Sequence, residues 1–193
     1  MSTNNLFISL LTCSLVFIGC SKSTELLFIE GRHLQNEKEY AKAITIYNQL
    51  IKRNGKLQKA FLERGICYLY LKKYEQAIEN FNIIISLRKI GNFEFSLNED
   101  SPFAPEEAHY QTPSFQAIKN RGIAYFFLDS LDKASLDMGT AIKNNFELSN
   151  SMIWQGNISY KMGDTENACK LFNNAKELND TAANEFIQKY CTQ

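Results

Sequence analysis

At 193 residues the chain is long enough to bury a core of its own, and its 45% hydrophobic and 12% aromatic content excludes global disorder. Lys and Arg together number 21, as do Asp and Glu, so the net charge is zero and the basic excess usual in a nucleic-acid binder is missing. No nucleic-acid partner is expected.

The segment 1–19 reads as a signal peptide. Leu6 to Ile18 form a largely apolar run, shorter than the roughly 20 residues a bilayer-spanning helix needs, which favours a secretory signal. The run ends in Val16-Phe17-Ile18-Gly19-Cys20 and is followed by Ser21-Lys22-Ser23. A small residue before a cysteine at this place resembles the lipobox of bacterial lipoproteins. The resemblance implies cleavage before Cys20, a thioether-linked diacylglycerol on its sulfur and a fatty acid such as palmitate on its amino group. It departs from the pattern in carrying Phe17 where Leu is commonest and no Lys or Arg between Met1 and Asn5. An ordinary cleaved signal peptide, giving a secreted protein, and an uncleaved anchor are the alternatives. By the same analogy, Ser21 rather than Asp after the cysteine points to an outer-membrane lipoprotein facing the periplasm of a bacterial envelope. The segment 20–23 would then be anchor and tether. The stretch from Cys20 to Thr24 reaches only about 14 Å, so a lipidated chain carries its first folded unit close to the headgroups.

From Thr24 onward a period appears. Gly65, Tyr68, Tyr74, Ala77 and Phe81 recur one constant step earlier as Gly31, Leu34, Tyr40, Ala43 and Tyr47. After a longer step forward they recur as Gly122, Tyr125, Leu131, Ala134 and Met138, and the original step then leads on to Gly156, Ala168 and Phe172. Four of the nine glycines thus hold one position of one repeat. Gly inside a helix costs about 1 kcal/mol against Ala, so glycines in register imply close packing between paired helices. Units of roughly 34 residues with Gly-x2-Tyr and Ala-x3-Phe spacing resemble the tetratricopeptide repeat. The family's Trp near the fourth position appears here as Leu27, Phe61, Ile118 and Met152, and its unit-ending proline as Gly55, Lys89, Phe146 and Asp180. The resemblance implies an all-α solenoid of four helix-turn-helix repeats, two in residues 24–90 and two in residues 115–180.

Residues 91–114 interrupt the period. They hold all three prolines, Pro102, Pro105 and Pro113, which excludes one continuous helix. Five carboxylates and no Lys or Arg give this insertion a charge of −5, leaving +5 on the remainder. Either it is a surface loop at one edge of the stack, or Phe93, Phe95, Phe103 and Tyr110 fold onto the solenoid and occupy or border its groove. Past Asp180, the residues Ala182, Phe186, Ile187 and Tyr190 form one apolar stripe, so residues 181–193 are expected to hold a capping helix and tail.

The chemistry-bearing residues are sparse. His33 and His109 are the only histidines, and no metal, phosphate-loop or nucleophile motif is present, so no enzyme activity, cofactor or metal is expected. No two of the five cysteines form a C-x-x-C pair. Cys67 and Cys169 fall on repeat positions that are usually small or apolar, which makes buried free thiols the default. In an oxidising compartment Cys169 and Cys191 can instead form a disulfide.

What remains is the inner face of the stack, which the repeat family lines with positions 2, 5, 9, 12 and 13 of each first helix. Mapped onto this chain, the candidate partner groove is Leu62, Ile66, Leu69, Tyr70, Lys119, Ile123, Phe126, Phe127, Asn157 and Lys161. Its centre is apolar and aromatic, which suits an apolar segment of another protein or peptide. The Lys/Asn/Arg clamp that chaperone-tail binders of this family use for a terminal carboxylate is not reproduced. A non-catalytic adaptor is the expected function. Self-association into a homo-oligomer without a client peptide is the alternative.

Overall fold

The computed structural model describes residues 22–90 and 113–192. The signal sequence, Cys20 and nearly all of the insertion lie outside the described residues, so the expectations about them are not addressed by the fold. Within the described residues there are nine helices and no strand: α1 (Thr24–Asn36), α2 (Tyr40–Arg53), α3 (Gln58–Tyr70), α4 (Tyr74–Ile90), α5 (Pro113–Phe127), α6 (Leu131–Lys143), α7 (Leu148–Lys161), α8 (Thr165–Glu177) and α9 (Ala183–Tyr190). Each helix packs on the next, and α3, α5 and α7 also touch the first helix of the preceding pair. This is the expected all-α solenoid of four hairpins with a C-terminal capping helix.

Two boundaries move. The third repeat opens at Pro113 rather than Phe115, because proline is tolerated in the first turn of a helix, where its missing N–H has no partner to lose. The cap begins at Ala183, slightly inside the expected span.

The repeated glycines each lie beneath one large side chain from the second helix of the same hairpin. A Cβ at Gly65 would stand 2.6 Å from Phe81 Cε1, and one at Gly31 would stand 2.8 Å from Tyr47 Cε1. Met138 covers Gly122, and Phe172 covers Gly156. The small residue is thus a seat for a ring or thioether, and Tyr47, Phe81, Met138 and Phe172 are fully buried there. Each such side chain contributes about 1.5–3 kcal/mol relative to exposure.

The turns inside the hairpins share a second regularity. Lys38, Lys72, Asp129 and Gly163 stand at one repeat position and all have positive φ, 61°, 57°, 58° and 90°. Only Gly163 adopts this left-handed conformation without steric cost.

Polar contacts on the outer side fix the stacking of the middle repeats. Arg64 donates to Asn80 Oδ1 of its own hairpin at 2.8 Å and to Asn48 Oδ1 of the preceding one at 2.7 Å. Arg121, at the same repeat position, donates to both carboxylate oxygens of Asp137 at 2.8 Å and to Asn82 Oδ1 of the preceding hairpin at 2.6 Å. The Asp137 carboxylate holds the Arg121 guanidinium above its ordinary pKa, whereas burial lowers that of Arg64. Repeat four has Gln155 at this position, and it reaches only Ser135 Oγ at 2.9 Å.

Cys169 is not a free thiol, the default that its repeat position implies. α9 folds back over α8 and brings Cys191 to a Cα separation of 5.7 Å, and the two are joined by a disulfide. Cys67 is free and fully buried, as expected, in a cluster with Leu27, Ala43, Tyr47 and Leu50. Burial first, then the nearby Glu63 carboxylate, push its thiol up to about 12. The Tyr47 hydroxyl is raised by the same two causes in the same order, and it donates to Gln35 Oε1.

Candidate functional site: the concave groove

Because every first helix lies along the inner wall, side chains from equivalent positions of α3, α5 and α7 meet there. They enclose a cavity of about 680 Å³ lined by Ile66, Leu69, Tyr70, Lys72, Tyr74, Gln116, Asn120, Ile123, Phe127 and Trp154. Five of the ten candidate groove residues therefore come together in one place: Ile66, Leu69, Tyr70, Ile123 and Phe127. Pockets of this size, apolar with a few polar groups, are the usual form of a binding site.

The cavity's aromatic edge is built by stacking between neighbouring repeats. Tyr70 lies flat on Tyr40, with centroids 4.7 Å apart and planes at 4°, and Phe127 lies on Tyr74 at 5.1 Å and 9°. Tyr70 remains 63% exposed and Phe127 50% exposed, so both rings are braced by a stacked neighbour while staying accessible, and Phe127 also meets Phe126 and Trp154 edge-on. Braced rings lose little further rotamer freedom on binding, which lowers the entropic cost of capture. The polar residues of the lining are Asn120, 8% exposed, Gln116 and Lys72.

Phe126 meets Trp154 in a T-shaped contact at 5.6 Å and helps line a second cavity of about 420 Å³, shared with Asn150, Ile153, Asn157, Phe186 and Tyr190. The capping helix is thus a wall of this second space as well as a lid on repeat four. Trp154 borders both cavities. Asn157 is among the second cavity's lining residues, and its amide donates to the Ile153 carbonyl at 2.9 Å.

Three candidates are placed differently. Leu62 is 4% exposed and belongs to the core with Phe61, Phe81 and Ala117, because the third hairpin packs directly over its position. Lys119 is buried, its amine paired with Glu147 and 3.3 Å from Asn150 Oδ1. Lys161 bridges to Asp129 at 2.7 Å and lies over the Phe126 ring at 5.0 Å, so its charge is already engaged. The cavity residues outside the candidate list are Trp154, Tyr74, Asn120, Lys72 and Gln116, the last at the second repeat position, one of the family's inner-wall positions. Trp154 could have been found as the chain's one tryptophan, just past the place where the family carries its own.

Among the described residues no group of three or more His, Cys, Asp or Glu could hold a metal ion, and no helix is long and apolar enough to cross a membrane.

Models of the tetratricopeptide repeat match residues 59–88 and 149–181. No curated protein matches the chain. Among solved structures it is similar to MamA 41-end from Desulfovibrio magneticus RS-1, at 19% identity over 81% of this chain and 76% of that one, with a TM-score of 0.64. It is similar to the Arabidopsis OM64 TPR domain, at 18% identity over 70% and 93%, with a TM-score of 0.54. It is also similar to the second TPR domain of human RPAP3 in complex with the HSP70 peptide SGPTIEEVD, at 21% identity over 71% and 98%, with a TM-score of 0.53. The repeat read from the spacing of four glycines is therefore matched as a tetratricopeptide repeat in the second and fourth units, and the chain as a whole has the fold of a tetratricopeptide-type solenoid.

Proposed function

We propose that this chain is a non-catalytic adaptor that captures an apolar segment of a partner protein along its inner wall, while tethered to an envelope membrane through a lipid on Cys20. The observation that carries the capture is the 680 Å³ cavity, lined by the exposed, stacked rings of Tyr70 and Phe127 together with Asn120. Apolar side chains of the partner fill the space, and the amide has the donor and acceptor needed to satisfy a peptide unit that enters with them. A related fold, the human RPAP3 domain, is seen with a bound peptide, which supports the peptide reading. The tether rests on the Gly19-Cys20 junction after the apolar run.

A photo-crosslinking amino acid at Tyr70 or Phe127, followed by isolation from membranes, tests the capture. One partner should be trapped from these positions and not from Leu136 on the outer side of α6, and equal trapping from all three refutes the groove. Tyr70→Ala combined with Phe126→Ala should weaken trapping from Phe127 about tenfold or more while leaving the chain helical. Fatty-acid labelling of the native chain, set beside Cys20→Ala, tests the tether. Label that persists in the alanine variant excludes Cys20 as its site.

A further inference from the structure

The outer face of α1 is a stacking face without a neighbouring repeat. In repeats two to four, the third position of the repeat, counted from Gln58, Phe115 and Ser149, holds Ala60, Ala117 and Ser151, each fully buried. Ala60 packs in the first repeat's cluster and Ala117 in the second's, while Ser151 Oγ donates to the Phe146 carbonyl at 2.8 Å. The equivalent residue of the first repeat is Leu26, 56% exposed, with Ile29 one turn further on at 60%. At the other end of the stack, α9 covers the last hairpin; among the described residues nothing covers the first.

The size of Leu26 bears on what covers this face. Stacked hairpins approach closely enough that only Ala or Ser occupies the third position, and a leucine there would hold another repeat away. A deformable surface accepts it. The chain leading to the face is fixed as well: Arg53 Nη1 donates to the Lys22 carbonyl at 2.5 Å, and Ser23 Oγ accepts from the Leu26 amide at 3.2 Å. Two residue steps span at most about 7 Å, so a lipid on Cys20 would be held close to Lys22, which is anchored to the folded body. Of the carboxylates beside the apolar pair, Glu30 is engaged with Lys22 at 2.7 Å, while Glu25 is exposed next to Leu26 and would have to stay in the headgroup layer.

We infer that Leu26 and Ile29 seat the first repeat on the lipid surface, so that the chain stands on the membrane at a fixed orientation. The inference rests on the lipid tether proposed above and adds a second attachment to it. The acyl chains of such a tether hold the protein to the bilayer but leave its orientation free, and a small apolar face pressed to the headgroup boundary fixes that orientation. Because the face is the end of the stack, the long axis of the solenoid rises away from the membrane.

The test uses the full chain, made in a bacterium that lipidates it, labelled with a fatty acid and reconstituted into phosphatidylethanolamine–phosphatidylglycerol vesicles with brominated acyl chains. Trp154→Phe removes the native indole, and Leu26→Trp, Ile29→Trp or Leu136→Trp supplies a single new one. Emission from the first two variants should fall about twofold against unbrominated vesicles, as expected for side chains about 5–10 Å into the headgroup boundary, and emission from the third should not change. Labelled, vesicle-bound protein with no quenching in the first two overturns the seating and leaves the tether standing. Absence of the fatty-acid label overturns both. Dimers cross-linked through Ile29→Cys in the same vesicles, again without quenching, assign the face to a second copy and overturn the lipid reading.

Discussion

Arg121 grips Asp137 with two nitrogens, each 2.8 Å from a separate carboxylate oxygen, and sends its third to Asn82 of the preceding repeat. Asp137 is only 5% exposed at its side chain and Arg121 20%. Removing one member leaves the other poorly solvated, so Arg121→Ala and Asp137→Ala should each cost about 2–4 kcal/mol, toward the lower side of the range for buried pairs because Arg121 keeps some water. Asn80→Ala, which removes the neutral partner of Arg64, should cost about 1 kcal/mol. Urea unfolding of the three variants checks the ranking. Equal losses would mean that charge adds nothing to the rung.

Gly65→Ala separates intrinsic helix preference from packing. On propensity alone it should stabilise by about 1 kcal/mol. The new Cβ would stand 2.6 Å from the Phe81 ring, and displacing a fully buried ring should cost about 1–3 kcal/mol, so the net effect should be destabilising. Phe81→Leu in the Gly65→Ala background should recover part of the loss. A double-mutant cycle on thermal unfolding measures that coupling.

Stability should fall on the alkaline side. The Cys67 thiol is raised from 9.0 to about 12, so the folded chain holds its proton more tightly than the unfolded chain does. The contribution is complete below about pH 9 and is lost as pH rises toward the folded value. Tyr47 is shifted in the same direction and adds to the slope. Denaturant midpoints at about pH 8 and about pH 10.5 should differ less in Cys67→Val combined with Tyr47→Phe than in the native chain. In the native fold Cys67 should also resist thiol reagents, since it is inaccessible and mostly protonated.

Reducing the Cys169–Cys191 disulfide should loosen the cap. The loop it closes, with a sequence separation of 22, corresponds to about 3 kcal/mol of unfolded-state entropy. α9 is short, so the effect should concentrate there: hydrogen exchange of residues 183–190 should accelerate under reductant while α3 and α4 stay unchanged. Uniform acceleration across the chain would show that the cap unfolds only with the whole.

The architecture was legible because it is periodic: the glycines, alanines and their covering side chains recur at fixed spacing, and Gly65 with Phe81 has counterparts in all four units. The groove was legible in part. Positions such as Tyr70 and Phe127 follow from helix geometry, but Leu62 faces the next hairpin as well as the inner wall, and only the packing of Ala117 over it decides between them. Lys119 was hidden for a related reason, since Glu147 and Asn150 come from the next repeat. The outer contacts of Arg64 and Arg121 left no readable trace, because they occur in two of the four units and their partners differ between Asn and Asp.

Between α4 and α5 the period is broken by the insertion, yet the two helices pack as neighbouring repeats do, with Ala117 set into the cluster of Phe61 and Phe81 and Arg121 reaching Asn82. Covalent continuity at that seam is therefore not what keeps the halves in register. In a structure whose cohesion is summed from adjacent contacts, this seam is one more interface between neighbouring hairpins, and the inner wall runs across it from α3 to α5 as it does elsewhere.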